Sequence, residues 1–163
     1  MTARAPSPTL TAADITLAAL YASRAMADDI ELRLADDGFD DLRFSDGALL
    51  QHLAAGAIGI GPLAELLGIT QQATSKAIAD LELRGYVLRR EDPQDARVRL
   101  VRLSTRGRDV LAADRLHREQ LERELCDTVG PRRVTAARKA LLDIVTVLGA
   151  ETPTRGRRFR PPA

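Results

Sequence analysis

The sequence predicts a mainly α-helical protein with one small β-hairpin, arranged as a winged helix-turn-helix domain between N- and C-terminal helices. Three observations support this fold class. Apolar residues recur at steps of three and four over most of the chain, and glycines divide it into helix-sized segments. Directly after Gly85 the period changes to two, which is typical of strands. From Ser104 onward the helical period returns.

The first helix is predicted to begin after a Pro-rich segment, residues 1–10, whose composition favours disorder. Either Thr11 or Asp14 has a side chain suited to an N-cap. Apolar positions then continue at helical spacing to Leu34, and the glycine of "ADDGFDD", Gly38, is expected to end the helix.

Residues 45–85 are predicted to hold three helices. Side chains suited to the first turn or the N-cap occur at three positions, which are Ser45, Pro62 and Thr70. Glycines suited to helix ends follow each of them, at Gly56, Gly68 and Gly85. The loop "GAIGIG" leaves room for a short extended piece at Ile58 and Ile60. The last two helices, joined by "GIT", form a helix-turn-helix pattern.

The helix after Thr70 separates into two faces at 100° per residue. Its inner positions are Thr74, Ala77, Ile78 and Leu81, and its outer positions are Gln72, Lys76 and Ala79, with Ser75 at the flank and Gln71 at the N-terminus. Amide, hydroxyl and amino groups of this kind can read base edges in a major groove or bind phosphates. Ordinary solvated polar residues are the alternative interpretation.

The segment "YVLRREDPQDARVRLVRLS" predicts a hairpin with a polar tip and four arginines around it, Arg90, Arg97, Arg99 and Arg102. Alternation places Arg97 with Arg99 on one face and Val98 with Leu100 on the other, inner face. Arg102 falls on this inner face too, and because a charged residue conflicts with a wholly apolar face, it is expected near the sheet edge. An arginine at the tip can enter a narrow minor groove, and Asp95 is placed to hold it. The alternative is a solvated hairpin whose charges prevent edge aggregation.

Charge distribution favours a polyanionic partner for the centre of the chain only. The net charge is +1, but residues 1–69 carry 4 basic and 10 acidic side chains, whereas residues 70–108 carry 9 basic and 5 acidic ones. This local asymmetry agrees with a basic, nucleic-acid-binding segment. The tail "RGRRFR" is either a solvated tail or a non-specific DNA-binding arm.

Four motifs in order, "LAELLGI", "DLELRGYVLR", "DPQDARVRLVRLS" and "TRGRDVL", resemble the central segment of the MarR (multiple antibiotic resistance regulator) family of bacterial transcription factors. The resemblance covers about residues 46–111. It implies that Thr70, Gln71, Gln72, Ser75 and Lys76 lie near the major groove of double-stranded DNA, and that Arg97 enters the minor groove with Asp95 as its support. The sequence departs from the family at Ala79, Asp80 and Ala96, and Asp80 suits a DNA-facing position poorly.

The resemblance also implies a homodimer on a pseudo-palindromic operator, more often as a repressor. It divides the chain into a tail (1–10), an N-terminal dimerisation helix and linker (11–44), the winged helix-turn-helix domain (45–108), C-terminal dimerisation helices (109–150) and a basic flexible tail (151–163). Tyr21, Met26 and His52 would border a cleft for a small amphipathic, often phenolic, effector. Core or interface packing is the alternative for these three residues.

Other function classes have little support in the sequence. No nucleophile–base–orienter set is recognisable, so an enzyme is not expected, and no cofactor or metal site is predicted. The single cysteine, Cys126, is interpreted as a structural thiol, with a redox sensor as the alternative. Residues 15–22 are apolar but too short to span a bilayer and lack a cationic leader, which favours a cytoplasmic protein. A winged helix that binds protein and not DNA is the competing hypothesis.

Overall fold

The computed structural model describes residues 14–91 and 99–149. Within these residues the fold consists of six helices and a three-stranded sheet, as the sequence predicted in outline. The elements are α1 (Ile15–Asp36), α2 (Phe44–Leu53), β1 (Ile58–Gly59), α3 (Ile60–Leu67), α4 (Gln71–Leu83), β2 (Val87–Glu91), β3 (Arg99–Leu103), α5 (Thr105–Val129) and α6 (Pro131–Val147).

Three of the predicted helix caps are confirmed. The Asp14 carboxylate accepts hydrogen bonds from the first-turn amides of α1 at 2.9 and 3.0 Å. Thr70 Oγ1 accepts one from Ala73 N at 3.1 Å at the start of α4, and Ser104 Oγ accepts one from Gly107 N at 2.9 Å at the start of α5. Each bond satisfies an amide that has no partner within its own helix.

The predicted cap at Ser45 is wrong, because α2 begins one residue earlier, at Phe44. Arg43 occupies the N-cap position, and its backbone N–H donates to Asp46 Oδ2 at 3.0 Å. The side chain that accepts a backbone hydrogen bond at the start of α2 is therefore that of Asp46, in the first turn, and not that of Ser45.

The wing is the outer part of an antiparallel sheet whose strand order is β1-β3-β2. Besides the two hairpin strands, the sheet contains β1, which pairs with β3 through Ile58 and Val101. Ile58 is extended as predicted, but Ile60 is already the first residue of α3. The short segment between α2 and α3 thus joins the sheet, a long-range pairing that local sequence patterns do not reveal.

The predicted inner face of β3 is wrong. Val101 is fully buried and Leu103 nearly so, whereas Leu100 is only half-buried. The core therefore lies on the face that Arg99 shares, and Arg99 is exposed because it stands at the outer end of the strand. Arg102 is half-buried in the central strand and not at an edge, since β1 and β2 both pair with β3. Val98 lies outside the described residues.

The core of the winged domain joins α2, α3, α4, the sheet and the start of α5. Its fully buried side chains include Leu50, Leu63, Thr74, Ile78, Leu81, Tyr86, Val87, Val101 and Val110. This arrangement leaves α4 and the hairpin on the surface, side by side.

The long helices outside this domain are only partly covered. The second half of α1 packs on α5, and two hydrogen bonds from Arg33 to the Glu124 carboxylate, at 3.0 and 2.7 Å, fasten the pair. No residue of α6 is buried, although its apolar positions repeat at helical spacing. In the described part of the chain, no helix is both long and apolar enough to cross a bilayer.

Candidate nucleic-acid interface

The turn between α3 and α4 fixes the helix-turn-helix. Gly68 adopts a left-handed conformation with φ of 66°, and its N–H donates to carbonyls of the last turn of α3. Ile69 N donates to Ala64 O at 3.2 Å, which closes the turn, and Thr70 then caps α4. A glycine meets the φ requirement at this position with no steric cost.

The two faces of α4 lie as the periodicity predicted. Thr74, Ile78 and Leu81 have no exposed surface, and Ala77 is half-buried. On the opposite side, the exposed residues are Gln71, Gln72, Lys76 and Ala79, while Ser75 is half-buried at the flank. The helix therefore presents a short, amide-rich polar surface at its N-terminal end.

Two of the predicted DNA-binding residues already have partners within the chain. The Thr70 hydroxyl oxygen accepts the capping bond, and the Thr70 carbonyl accepts a bond from the Thr74 hydroxyl at 3.1 Å. The Ser75 carbonyl accepts a bond from Arg89 Nη2 at 3.3 Å, which leaves the Ser75 hydroxyl outside that contact. Thr70 is thus held rigidly, with its hydroxyl proton still able to be donated to a phosphate.

Asp80 does not point toward the predicted DNA-facing surface. Its carboxylate accepts a hydrogen bond from Arg84 Nη2 at 2.7 Å and lies 3.6 Å from Arg43 Nη1. These two arginines compensate its charge at the side of α4 that meets α2. The departure from the family pattern at Asp80 is therefore accommodated within the fold and adds no acidic group to the outer face.

The sequence reading missed Arg89, which connects the wing to α4. Besides its bond to the Ser75 carbonyl, its Nε lies 3.4 Å from the Glu82 carboxylate, and its backbone N–H donates to the same carboxylate at 3.3 Å. Arg89 is two residues after the buried Val87, so the two side chains share the face of β2 that lies toward α4. This spacing of two residues was the signal in the sequence.

Of the wing arginines singled out in the sequence, Arg90 is exposed, and Arg99 is paired across the hairpin with Glu91 at 3.0 Å. The pairing of opposite charges at facing positions stabilises the hairpin and reduces the free positive charge. Arg97, its predicted support Asp95, and Ala96 lie outside the described residues, so their roles remain predictions.

A polar cluster around the buried Tyr86, behind α4, was also missed. Tyr86 Oη donates to Asp41 Oδ1 at 2.5 Å, and Arg106 Nη2 donates to the same carboxylate oxygen at 3.1 Å and to Tyr86 Oη at 3.2 Å. Its members come from the segment between α1 and α2, from the α4–β2 junction and from α5. They are far apart in the chain, so no local motif could reveal the cluster.

The cluster has a defined protonation state near neutral pH. Burial, together with the hydrogen bond to the Asp41 carboxylate, raises the pKa of Tyr86 to about 12. Burial alone would raise the pKa of Asp41, but the hydrogen bonds from Tyr86 and Arg106 outweigh it and hold that pKa below its ordinary value. The phenol therefore donates and the carboxylate accepts.

The three residues predicted to border an effector cleft are on two helices. Tyr21 and Met26 are on α1, where 50% and 36% of their surfaces are exposed, and His52 is on α2, also exposed. Their exposure does not favour the alternative of core packing within one chain. Their role in binding stays a prediction.

Among the described residues, no group of three or more His, Cys, Asp or Glu side chains could hold a metal ion. Cys126 is a free, half-buried thiol late in α5. His117 forms a 2.7 Å contact through Nε2 with Asp37, which ties α5 to the end of α1.

Comparison with known proteins gives a family match over part of the chain. The model that describes the MarR family matches residues 41–98 of the 163. Over this segment the chain is similar to the MarR family, as the motifs in its sequence indicated. That family consists of transcription regulators and not of enzymes, which agrees with the expectation of a non-enzymatic protein.

Curated relatives match a larger part of the chain at modest identity. The Bacillus subtilis HTH-type transcriptional regulator YdgJ is 29% identical over 108 residues, which is 66% of this chain. The aligned part spans only 62% of the YdgJ length, less than two thirds. A Mycobacterium tuberculosis protein is 28% identical over 123 residues, covering 76% of this chain and 84% of its own.

Solved structures confirm the winged-helix fold. RV1404 of Mycobacterium tuberculosis superposes with a TM-score of 0.69 at 24% identity, covering 90% of this chain and 97% of that one. The Streptococcus pneumoniae FabT–DNA complex gives 0.67 at 18%, covering 83% and 94%. The Staphylococcus aureus MepR–DNA complex gives 0.63 at 19%, covering 83% and 98%.

Proposed function

We propose that this protein is a homodimeric, sequence-specific DNA-binding transcription regulator that represses by occupying its operator and is released by a small effector. The observation that carries the proposal is the polar outer face of α4. Gln71, Gln72 and Lys76 are exposed together there. On the opposite face of the same helix, Thr74, Ile78 and Leu81 have no exposed surface. A helix held this way can enter a major groove without losing core contacts.

The groups on that face fit base recognition. A glutamine side chain can pair with adenine through two hydrogen bonds, and a lysine can reach guanine or phosphate. Thr70, at the α4 N-terminus, supplies a hydroxyl beside backbone amides that attract a phosphate. Ser75 lies at the flank, where its hydroxyl would contact the sugar-phosphate backbone. Two structural neighbours, FabT and MepR, were solved as DNA complexes, which supports DNA as the partner.

The wing is proposed to add a minor-groove contact. In the family resemblance Arg97 is the inserted residue and Asp95 holds its guanidinium. Arg89 supports this arrangement from the described part of the hairpin, because it fastens β2 to α4 and so fixes the distance between wing and helix. A narrow minor groove has a strongly negative potential, which favours an inserted guanidinium.

The dimer is proposed from the uncovered apolar surface of the terminal helices. On α6, Leu142 and Val147 are 60% and 83% exposed, and on α1, Ile15 and Leu20 are 68% and 52% exposed. Large apolar side chains left uncovered on both terminal helices favour an interaction site on these helices. A second copy would cover both helices and place two α4 helices about one DNA turn apart on a pseudo-palindrome.

The effector is the least constrained part of the proposal. Tyr21 and Met26 are exposed on α1, and His52 is exposed on α2, so their side chains are accessible to a ligand. An amphipathic, phenolic compound is the ligand class that the resemblance favours. Binding there would alter the separation of the two winged domains and release the operator.

The test is binding of the purified protein to its own upstream DNA and to a random duplex of equal length, over a salt series. Selective binding should fall by about 10³-fold between 50 and 200 mM salt if roughly six phosphates are contacted by each dimer. Sedimentation at the same protein concentrations should give twice the chain mass. Binding to neither duplex would contradict the proposal and direct the search toward protein partners.

A further inference from the structure

Tyr86 lies at the junction between α4, the proposed recognition helix, and strand β2 of the wing. It follows Gly85, whose φ of 78° ends the helical segment, and it precedes β2. Its N–H donates to Leu81 O at 2.9 Å, and its carbonyl accepts a bond from Ser104 N at 3.0 Å. The side chain has no exposed surface. Any movement of this residue therefore moves the recognition helix and the wing together.

The Tyr86 hydroxyl forms hydrogen bonds with residues of two segments outside the helix-turn-helix. Asp41, which accepts its proton, belongs to the segment that connects α1 to α2. Arg106, which donates to the hydroxyl oxygen, belongs to the first turn of α5. The Arg106 guanidinium also lies over the Tyr86 ring, 4.8 Å from its centroid, and over the Phe39 ring, 5.4 Å from that centroid. The phenol is thus enclosed on its polar edge and on one ring face.

The same connecting segment is held a second time from the end of α4. Arg84 Nη1 donates to the Asp41 carbonyl at 2.6 Å and to Asp46 Oδ2 at 2.9 Å, and Arg84 Nη2 donates to Asp80. Only 13% of the Arg84 side chain is exposed, and 11% of that of Asp46. Ionised, well-shielded hydrogen bonds are among the strongest in proteins and are directional.

We infer that Tyr86 is a positioning residue, and that its bonds to Asp41 and Arg106 set the angle between the DNA-reading elements and the long helix α5. The inference rests on the proposed function, since the angle has a consequence only in a DNA-binding dimer. There, α5 leads from each winged domain to the terminal helices, so the angle decides how far apart the two recognition helices stand. Tyr86 would therefore determine which half-site spacing the dimer accepts.

Hydrogen-bond geometry explains why one hydroxyl can have this effect. The apolar core under α4 is non-directional and tolerates small rotations of the domain on α5. The Tyr86 hydroxyl adds directional bonds to ionised groups on both sides of the junction. Without it, Asp41 and Arg106 can still pair with each other at 3.1 Å, but neither is tied to the α4–β2 junction through the phenol.

The experiment compares wild type and Tyr86→Phe on duplexes that carry the same two half-sites with the central spacer changed by one and two base pairs, and on a duplex with one half-site. Wild type should prefer one spacing. In Tyr86→Phe that preference should fall by about 10-fold, the lower range for losing a hydrogen bond to a charged group. Affinity for the single half-site should stay unchanged, because the α4 surface is intact.

A second variant, Arg106→Met, removes the Arg106 hydrogen bonds to Tyr86 Oη, Asp41 Oδ1 and the Gly38 carbonyl but leaves the one from Tyr86 to Asp41. It should also flatten the spacing preference. Thr128→Val is the control, because it deletes a hydroxyl that donates to the Glu124 carbonyl within α5, away from the Tyr86 cluster. An unchanged spacing profile in both test variants would overturn the inference. Equal weakening at every spacing and on the single half-site would also overturn it, in favour of a purely structural role. If wild type binds no duplex selectively, the proposed function itself fails, which is a different outcome.

Discussion

Gly107, in the first turn of α5, is the position where a single methyl group should damage the fold most clearly. A Cβ there would lie 2.1 Å from Tyr86 O, 3.1 Å from Tyr86 C and 3.2 Å from Leu103 Cδ2. Two of these atoms are backbone, so a rotamer change cannot relieve the contact. Alanine therefore requires the α5 start and the α4–β2 junction to separate by about 1 Å, given ordinary C···O contacts near 3.3 Å.

The cost follows from what that separation disturbs. The Tyr86 carbonyl accepts bonds from Ser104 N and from Ser104 Oγ, both at 3.0 Å. Weakening two such bonds costs about 0.5–1.5 kcal/mol each, and overpacking adds about 1–3 kcal/mol. Alanine's better helix propensity returns about 1 kcal/mol. We expect Gly107→Ala to lower the free energy of unfolding by about 3 kcal/mol.

Urea unfolding followed by circular dichroism measures this loss, at one protein concentration because the proposed dimer couples assembly to stability. Gly47→Ala is the matched control, since a Cβ at this helical position of α2 meets nothing within 4 Å. The control should be neutral or more stable by up to about 1 kcal/mol. A Gly107→Ala protein within about 0.5 kcal/mol of wild type would refute the packing argument at the α5 start.

Three further results are expected. Gln72→Ala should weaken operator binding much more than random-duplex binding in a fluorescence titration, and equal losses would remove Gln72 from base reading. Arg97→Ala should cost about 1–3 kcal/mol of operator affinity with an unchanged fold, and an unaltered affinity would exclude the wing contact. Because the folded pKa of Asp41 lies below its ordinary value of 3.8, this carboxyl stabilises the fold above that pH and ceases to do so as the pH falls through the lower folded value. The stability gap between wild type and Asp41→Asn should therefore narrow in urea titrations carried from neutral pH to below about pH 4, and a constant gap would contradict the assignment.

Local signals in the sequence were sufficient for most helix boundaries. Asp14, Thr70 and Ser104 act as caps because a side-chain oxygen next to a helix start satisfies an amide whatever the rest of the fold does. Gly68 ends α3 for a similarly local reason, its left-handed φ. The same holds for the buried and exposed faces of α4, because 3.6-residue periodicity fixes which side chains share a face.

The sequence was ambiguous wherever a distant partner decided the outcome. Strand alternation offered two inner faces for β3, and pairing with β1 and packing on the core selected Val101 and Leu103 over Leu100. Ser45 is not the N-cap of α2. Asp46, in the first turn of this helix, accepts hydrogen bonds from the Arg43 N–H and from Arg84, which is 38 residues away.

The sequence by itself determined the helix-turn-helix, the hairpin and the polar outer face of α4, since each depends on residues close together in the chain. Only the tertiary structure decided the polar cluster of Asp41, Tyr86 and Arg106, the link from Arg89 to α4 and the direction of Asp80. The physical reason is that hydrogen bonds and ion pairs act over about 3–4 Å in space, whereas their partners here come from segments up to 65 residues apart.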